Sequence, residues 1–449
     1  MSLTLPTDAS PLPLLDWNRV VGRRRALFGS TLANLRELGK AAGDLAGFEA
    51  GGRFVVLVSS PALVRDVLVT HADDYGMMSP AALPPAVRPM FQSDGEDHRR
   101  RRRLVTPAFR PRHFQAYAEA IRGCTERLIA GWADEQTAPI GAEMERLAFD
   151  IAGRTLLSRE GRADAALLAE AERTMARAGD LKWSPAHLPA FWQMPRRVRM
   201  ASAHGTLTEA VRGLLRERRE APTDGIDMVS VLLEAQAGAG KNSEDGDDAD
   251  LTAQILGVLY AGTVNFALSL AWACTQMARL PEIAAQMASE ADALAGPPTL
   301  EDLPRLTYTR QVYQETLRDM RRTSSIQRWS QRETTLGGCR VPANALVCIF
   351  PYLLHHDPRV FPDPERFDPA RFAPGWEDTP QRQSFLPFGD GAHVCVGNHF
   401  TLMNAQIILA TLAQRVRLEC LPGRALGSEA LSSLQPRHDV SLRVRSISR

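Results

Sequence analysis

An apolar stretch at residues 255–273 limits the architecture of this chain more than any other segment. Its nineteen mostly apolar residues could cross a hydrocarbon layer of about 30 Å, but Asn265 lies near its centre and no second stretch of this kind exists. A helix that is apolar on all sides and lies outside a membrane is buried in a large helical core. We therefore predict a core helix of about 30 residues that begins after Asp250, as its N-cap, and ends before Pro281.

Apolar periodicity elsewhere predicts a mainly helical (α+β) protein with few, short strands. The predicted helices are 61–70, 98–109, 114–134, 142–157, 164–178, 200–219, 281–295, 303–318 and 397–415, and the predicted strands are 54–58, 334–336, 345–349, 418–420 and 440–444. These strands come from both ends of the chain and must pair in space, so we predict one small sheet and one domain over residues 1–449. Its helical parts are expected at about 95–318 and 397–415, and its β-rich parts at about 50–75, 320–350 and 418–446. Residues 236–250, rich in glycine and acid, are predicted to form a mobile loop.

Composition excludes several classes of protein. The 53 basic and 52 acidic residues leave a net charge of +1, which argues against a nucleic-acid binder. No two of the six cysteines have C-x-x-C spacing, so the zinc-ribbon and iron–sulfur motifs are missing. The first thirty residues contain no apolar signal core. We expect a cytoplasmic monomer without a transmembrane anchor.

The segment FLPFGDGAHVCVG, residues 385–397, carries the strongest chemical signal. Its glycines allow backbone amides to approach a ligand closely. Cys395 precedes a predicted helix, whose positive N-terminus favours a thiolate. A cysteine in such a turn is either a buried structural residue or a reactive or metal-binding thiolate.

This segment resembles the haem-binding loop of the cytochrome P450 superfamily, F-x-x-G-x-[R/H]-x-C-x-G. The matching residues are Phe388, Gly391, His393, Cys395 and Gly397. The resemblance implies the cytochrome P450 fold, with haem b between a distal I helix and a proximal L helix. It implies that Cys395 is the axial thiolate ligand of the iron, that Phe388 packs over the sulfur, and that His393 donates to a haem propionate.

Three further segments resemble the family in the expected order. Glu315 and Arg318 match its E-x-x-R motif, and Arg371 would complete a structural cluster with them. His98 and Arg102, in the run HRRRRR, share a helix face and match a propionate-binding pair. Arg328 matches a further propionate-binding arginine, and arginine suits carboxylates because it stays charged and offers a fork of donors.

The distal helix departs from the family pattern. Ala261 and Gly262 are in place, with Thr263 after them, but Val264 and Asn265 replace the acid and alcohol that relay protons during oxygen activation. Asparagine donates hydrogen bonds but is not an acid at ordinary pH. Three explanations stay open: substrate or ordered water completes the proton path with Asn265 positioning it, the enzyme performs chemistry that needs no relay, or activity is low.

By resemblance, apolar residues form the substrate pocket, and we single out Met77, Met78, Leu83, Trp183, Ile326 and Leu434. The expected function is a haem-dependent monooxygenase that inserts one atom of dioxygen into a lipophilic small molecule of secondary-metabolite, terpenoid or fatty-acid type. The alternatives are a haem-thiolate isomerase, dehydratase, peroxygenase or oxidative-coupling enzyme, and a haem gas sensor. Electrons would come from NAD(P)H through a reductase and a separate ferredoxin or flavodoxin-type protein, which would dock near Arg110 and Arg112.

Overall fold

The computed structural model describes residues 10–16, 32–50, 52–80, 88–157, 190–221, 227–238, 244–320, 325–422 and 440–447. Helices dominate these residues. In chain order, α1 to α13 are Leu32–Ala42, Pro61–Arg65, Gly95–Val105, Phe114–Ala130, Ile140–Leu156, Ala190–Glu220, Met228–Gly238, Glu244–Arg279, Pro281–Asp292, Thr307–Asp319, Pro351–His355, Gln381–Ser384 and Asn398–Arg415.

The strands of the described residues form three small sheets. In chain order, β1 to β11 are Ser10–Pro11, Leu45–Ala50, Arg53–Val58, Tyr75–Gly76, Thr137–Pro139, Ile326–Ser330, Thr334–Leu336, Cys339–Val341, Leu346–Ile349, Val416–Cys420 and Ser441–Ser446. The sheet orders are β2-β3-β9-β6-β4, β1-β8-β7 and β10-β11-β5. The prediction that strands distant in sequence meet is confirmed for β3 and β9, which pair in parallel. The prediction of one sheet was wrong, because β10 and β11 pair with β5 in a separate sheet.

Helix α8 is the core helix that the apolar stretch predicts. It packs against α5, α6, α10 and α13 and against strand β10, and Leu270, Ala271 and Cys274 are completely buried. In the described part of the chain, Asp248–Arg279 is the one helical segment long and apolar enough to cross a membrane, and most of it is covered by protein. The apolar surface of α8 is thus covered by neighbouring helices of the same chain.

Two predictions around the start of α8 were wrong. The helix begins at Glu244, so Asp250 lies in its second turn and is not its N-cap. Asp250 instead accepts a hydrogen bond of 2.9 Å from Arg101 of α3. The expected loop at 236–250 is helical at both ends, and residues 239–243 lie outside the described residues. Acid and glycine content indicated a loop, but tertiary ion pairs favour the longer helix.

The predicted helix 200–219 was too short, because α6 already begins at Ala190. Helix 164–178 lies outside the described residues, and the other predicted elements agree with the structure to within a few residues. Several described elements were not predicted: helices α1, α7, α11 and α12 and strands β1, β2, β4, β5, β6 and β8. Strand β5 is only three residues long and is defined by its pairing with β11. A pairing between segments so far apart in the chain cannot be predicted from a local pattern of residues.

Candidate active site

Residues 385–397 form a tight loop that leads into α13. The backbone N–H of Cys395 donates to the carbonyl oxygen of Phe388 at 2.9 Å, which closes the loop. Gly389 and Gly391 have φ angles of 71° and 68°, a left-handed conformation that glycine adopts without steric cost. The glycine spacing of the motif therefore has a conformational cause. The contact of the Phe388 ring with the sulfur stays a prediction.

Gly391 has a second reason to be glycine. A Cβ atom added there would overlap the carbonyl oxygen of Leu68, which belongs to the π-helical turn Asp66–Thr70 that follows α2. The cysteine loop is thus pressed against a backbone atom that is distant in sequence. Any side chain at this position would push the loop, and Cys395 with it, out of place.

Cys395 combines an accessible side chain with a largely desolvated thiol. Its side chain is solvent-accessible, yet burial raises its pKa, while a hydrogen bond from the Gly397 amide and the charge of Arg102 act to lower it. The dipole argument predicted an easily ionised thiol, but here desolvation outweighs the amide and the arginine. A coordinated metal ion deprotonates such a thiol outright.

Arg102 is the arginine of the HRRRRR run that reaches the cysteine loop. Its Nη1 donates to the carbonyl oxygens of Val394 at 2.8 Å and Ala392 at 3.2 Å. The other four arginines of the run form ion pairs with carboxylates: Arg99 and Arg103 with Glu96, and Arg100 and Arg101 with Asp97 and Asp250. Three carboxylates thus offset most of the charge of these four arginines.

The structure brings His98, His393, Arg102 and Arg328 together into a cationic cluster beside the loop. The imidazole centroids of His98 and His393 lie 4.1 Å apart. Burial, with the nearby charges of His393 and Arg102, lowers the pKa of His98 to about 4. Burial also lowers the pKa of Arg328 to about 10, and only the charge of Asp94 opposes that effect. The two arginines give the cluster excess positive charge, and burial partly removes Arg328 and His98 from water.

Asp94 is a site residue that the sequence reasoning missed. Its carboxylate accepts the N–H of Met77 at 2.8 Å and lies 3.5 Å from Nε2 of His393. Burial acts to raise the pKa of Asp94, but the hydrogen bonds from His393 and Met77 outweigh it and the pKa is lowered. An acid just before a helix is typical of an N-cap, yet this side chain makes no cap hydrogen bond.

Glu315, Arg318 and Arg371 also meet, as the sequence motif predicts. Arg318 donates through Nε and Nη2 to the two carboxylate oxygens of Glu315, at 2.7 and 2.8 Å, and both residues are completely buried. Nε of Arg371 lies 3.6 Å from Glu315. Burial raises the pKa of Glu315, although the hydrogen bonds from Arg318 oppose this.

His355, a second residue that the sequence reasoning missed, connects this cluster to the cysteine loop. Its carbonyl oxygen accepts from Nη1 of Arg318 at 2.9 Å, and its Nε2 accepts from the backbone N–H of Leu386 at 3.0 Å. Leu386 is the second residue of the loop segment. A buried ion pair far from Cys395 in sequence therefore anchors the segment that carries it.

On α8, Ala261, Gly262 and Asn265 are exposed although the next turns are buried. A Cβ added to Gly262 would meet nothing within 4 Å, so open space adjoins the face of α8 that carries Ala261, Gly262 and Asn265; we call it the open face. The Asn265 amide donates to the carbonyl oxygen of Ala261 at 3.2 Å. The hydroxyl of Thr263 is on the buried side, where it donates to Leu259, so it does not stand in for an alcohol at position 265.

The predicted pocket residues are only partly described. Met77, Met78 and Ile326 are half-buried, and Met77 is held by Asp94 near the cationic cluster. The other three, Leu83, Trp183 and Leu434, lie outside the described residues.

Comparison with known proteins identifies the family. The cytochrome P450 family model matches residues 13–437, which is most of the chain. The solved structure of retinoic acid-bound cyanobacterial CYP120A1 has the same fold, with a TM-score of 0.81, 22% sequence identity, and coverage of 98% of this chain and 100% of that chain. The chain belongs to the cytochrome P450 family, and the predicted fold is confirmed.

Named relatives agree with this assignment. Cyclooctat-9-en-7-ol 5-monooxygenase of Streptomyces melanosporofaciens is 34% identical, over 94% of this chain and 91% of its own length. Cyclooctatin synthase of the same organism is 32% identical, over 96% and 92%. Pentalenene oxygenase of Streptomyces avermitilis is 28% identical, over 91% of each chain. This protein is thus a haem-dependent cytochrome P450 monooxygenase.

The residues at the site fit haem b. Cys395 offers one accessible sulfur to a metal ion, and sulfur is a ligand that iron accepts in this family. Arg328 forms no ion pair with a carboxylate among the described residues, and Asp94 is the one carboxylate there whose charge acts on it. One carboxylate does not balance the two arginines of the cluster. The two propionates of haem would supply the missing negative charge. The exposed glycine face of α8 leaves room for a planar group and a substrate.

Proposed function

We propose that this protein inserts one oxygen atom into a terpenoid, as a step in secondary metabolism. The observation that carries the proposal is the combination of the cysteine loop with relatives that modify terpenoids at about one third identity over nearly the whole chain. Half-buried Met77, Met78 and Ile326 support an apolar, adaptable pocket wall. A rigid polycyclic hydrocarbon suits such a wall because it needs few polar contacts.

Bound haem supplies the activation of dioxygen and the transfer of one oxygen atom. The chain's own residues hold and orient it: Cys395 as the iron ligand, and the cluster of His98, His393, Arg102 and Arg328 for the propionates. Gly391 and Gly397 let the loop backbone approach closely. Arginine and neutral imidazole both donate hydrogen bonds to carboxylates.

Asn265 is proposed to position a proton donor rather than to act as one. An amide cannot deliver a proton at neutral pH, and Val264 has no proton to give. The amide of Asn265, exposed on the open face of α8, can hold a water molecule or a substrate hydroxyl. The same Val264–Asn265 pair favours the second candidate, a haem-thiolate isomerase, dehydratase, peroxygenase or coupling enzyme that needs no such relay.

Electrons are proposed to come from a separate ferredoxin or flavodoxin-type protein and its NAD(P)H-dependent reductase. Arg110 and Arg112 are exposed next to Phe109, whose ring lies against Gly397 of the cysteine loop. Positive charge there suits an acidic partner. We propose further a single domain that acts as a cytoplasmic monomer.

A substrate screen tests the proposal. Polycyclic terpene hydrocarbons and alcohols are titrated into ferric holoprotein, and the shift of the haem absorption is followed. A binder is then turned over with NAD(P)H, a surrogate ferredoxin system and isotopically labelled dioxygen. One labelled oxygen atom in the product is the expected result. A product without label, formed without NAD(P)H consumption, would favour the isomerase or dehydratase alternative.

A further inference from the structure

Residues 88–92 lie against α8, two turns before its open face, and a single buried side chain holds them there. Gln254 of α8 is 1% exposed. Its Oε1 accepts the backbone N–H of Met90 at 2.7 Å, and its Nε2 donates to the carbonyl oxygen of Arg88 at 3.0 Å. One amide thus binds both a donor and an acceptor of the same backbone segment.

The orientation of this amide is determined by a carboxylate. Nε2 of Gln254 also donates to Oδ1 of Asp250, one turn earlier, at 3.2 Å. Asp250 in turn is held by Arg101 at 2.9 Å and Arg100 at 3.1 Å. Because Asp250 only accepts hydrogen bonds when ionised, the NH₂ group of Gln254 must face it, and Oε1 must face Met90.

Gly257 lets the same segment approach the helix backbone. A Cβ added at Gly257 would lie 2.7 Å from Cβ of Pro89 and 3.1 Å from Cε1 of Phe91. Distances this short are rejected by van der Waals repulsion, so the segment would have to move outward. Glycine in the middle of a helix is unfavourable by itself, and here its lack of a side chain is what the packing requires.

Gln254 and Gly257 share a helix face with Ala261 and Asn265. Their spacing of three, four and four residues places all of them on one side of α8. Gly257 lies about 6 Å from Ala261 along the helix axis. Residues 89–91 therefore stand at the N-terminal end of the open face, directly beside the space that Ala261 and Gly262 border.

We propose that Gln254 and Gly257 are positioning residues that fix residues 89–91 as the end wall of the substrate space. The wall limits how far a ligand above the haem extends along α8, and so contributes to substrate size selection. The inference rests on the proposed function in one respect, that ligands bind over the open face of α8.

The test uses haem ligands rather than the unidentified substrate. Imidazole and the longer, rigid 4-(biphenyl-4-yl)imidazole are titrated into ferric holoprotein, and both dissociation constants are read from the absorption shift. Gln254→Leu keeps the side-chain volume but removes all three hydrogen bonds. Gly257→Ala adds the excluded methyl group and favours the helix, so it separates movement of the wall from loss of folding.

Gln276→Leu is the matched control. Gln276 is another buried glutamine of α8, and it donates to Asp319 of α10 at 2.8 Å rather than to residues 88–92. We expect both test variants to bind the long imidazole about ten-fold more tightly relative to imidazole, because the wall is released. The control should keep the wild-type ratio.

An unchanged ratio in both Gln254→Leu and Gly257→Ala would overturn the proposal, as would an equal change in Gln276→Leu, which would mean general loosening. Imidazole binding requires only haem at the site. A negative result therefore leaves the proposed monooxygenation of terpenoids untouched, and failure of every terpenoid to turn over leaves the wall intact.

Discussion

At the residue scale, we propose that two side chains, Cys395 and Asn265, set the chemistry. The thiol is accessible, yet burial raises its pKa, which suits a metal ligand better than a free nucleophile. Asn265 donates to the Ala261 carbonyl at the position where the family has an alcohol. Cys395 matches the family pattern, and Asn265 departs from it.

Replacing Cys395 by Ala should remove the thiolate ligand. We expect the reduced, carbon monoxide-treated protein to lose its thiolate-type absorption band and the turnover of any substrate to cease, because no other side chain of the motif supplies sulfur. The measurement is the difference spectrum. Cys420→Ala, at an exposed cysteine in β10, should leave the spectrum unchanged. A thiolate-type band in Cys395→Ala would contradict the assignment.

Replacing Asn265 tests whether it positions the proton donor. Asn265→Ala should lower the product formed per NAD(P)H by at least about ten-fold, with peroxide in place of product, since proton delivery by a positioned group contributes factors of this size or more. Asn265→Thr should retain coupling, because a threonine hydroxyl can donate to the carbonyl four residues earlier, as Thr275 does at 2.7 Å.

Thr263→Ala is the control for this pair, because the Thr263 hydroxyl binds Leu259 on the buried side of α8. Coupling in Asn265→Ala equal to that of the unaltered enzyme would make Asn265 a bystander. That result would favour a reaction that needs no relay.

At the scale of elements, the cysteine loop is held by contacts from several helices. Arg102 of α3 donates to two of its carbonyl oxygens, the turn after α2 presses on Gly391, and His355 at the end of α11 accepts from Leu386. Arg318 of α10 connects to His355. The ion pair in α10 therefore acts on the site only through this chain of contacts.

Breaking that ion pair should destabilise the fold. Glu315→Gln removes the carboxylate that pairs with the buried guanidinium of Arg318, which costs about 3–5 kcal/mol, and we expect faster loss of haem as well. Guanidinium unfolding with haem absorbance as a second probe measures both. Glu209→Gln, in the exposed Arg212–Glu209 pair of α6, should change stability by less than about 1 kcal/mol. Equal effects of the two variants would refute this role for Glu315.

At the scale of the whole molecule, buried neutral histidines couple stability to pH. His355 is 2% exposed. Burial, with the charges of His356 and Arg318, lowers its pKa to about 3, from the usual 6.5. Below pH 6.5 the unfolded chain binds a proton at this residue and the folded chain does not. The unfolding free energy should therefore fall as the pH drops from 6.5 towards 3, by up to about 1.4 kcal/mol per pH unit.

His355→Gln should flatten this slope while keeping an acceptor for the Leu386 N–H. Denaturant unfolding at several pH values between 4 and 7, an experimental range set around the pKa values of histidine, measures the slope. His204→Gln, at an exposed histidine of α6, should leave it as it is. A slope unaffected by His355→Gln would mean that other groups dominate acid unfolding.

Local patterns predicted much of the fold and the central loop. The apolar stretch predicted α8, and helical periodicity placed most described helices to within a few residues. The motif placed Phe388, Gly391 and Cys395 in one closed loop. The start of α8 was missed because Asp250 is paired with Arg101, and such a pair is visible only when α3 and α8 are adjacent.

The amino-acid sequence alone was enough to predict the family and the central helix and to single out Cys395 as the proposed sulfur ligand, because each depends on residues close together in the chain. Only the tertiary structure decided which arginine reaches the cysteine loop, that Asp94 and His355 support the site, and that Gln254 holds residues 88–90. Most of these contacts join residues far apart in the chain, by 31 positions for His355 and Leu386, 164 for Gln254 and Met90, and 290 for Arg102 and Ala392. They depend on packing and desolvation between elements, which no local pattern of residues encodes.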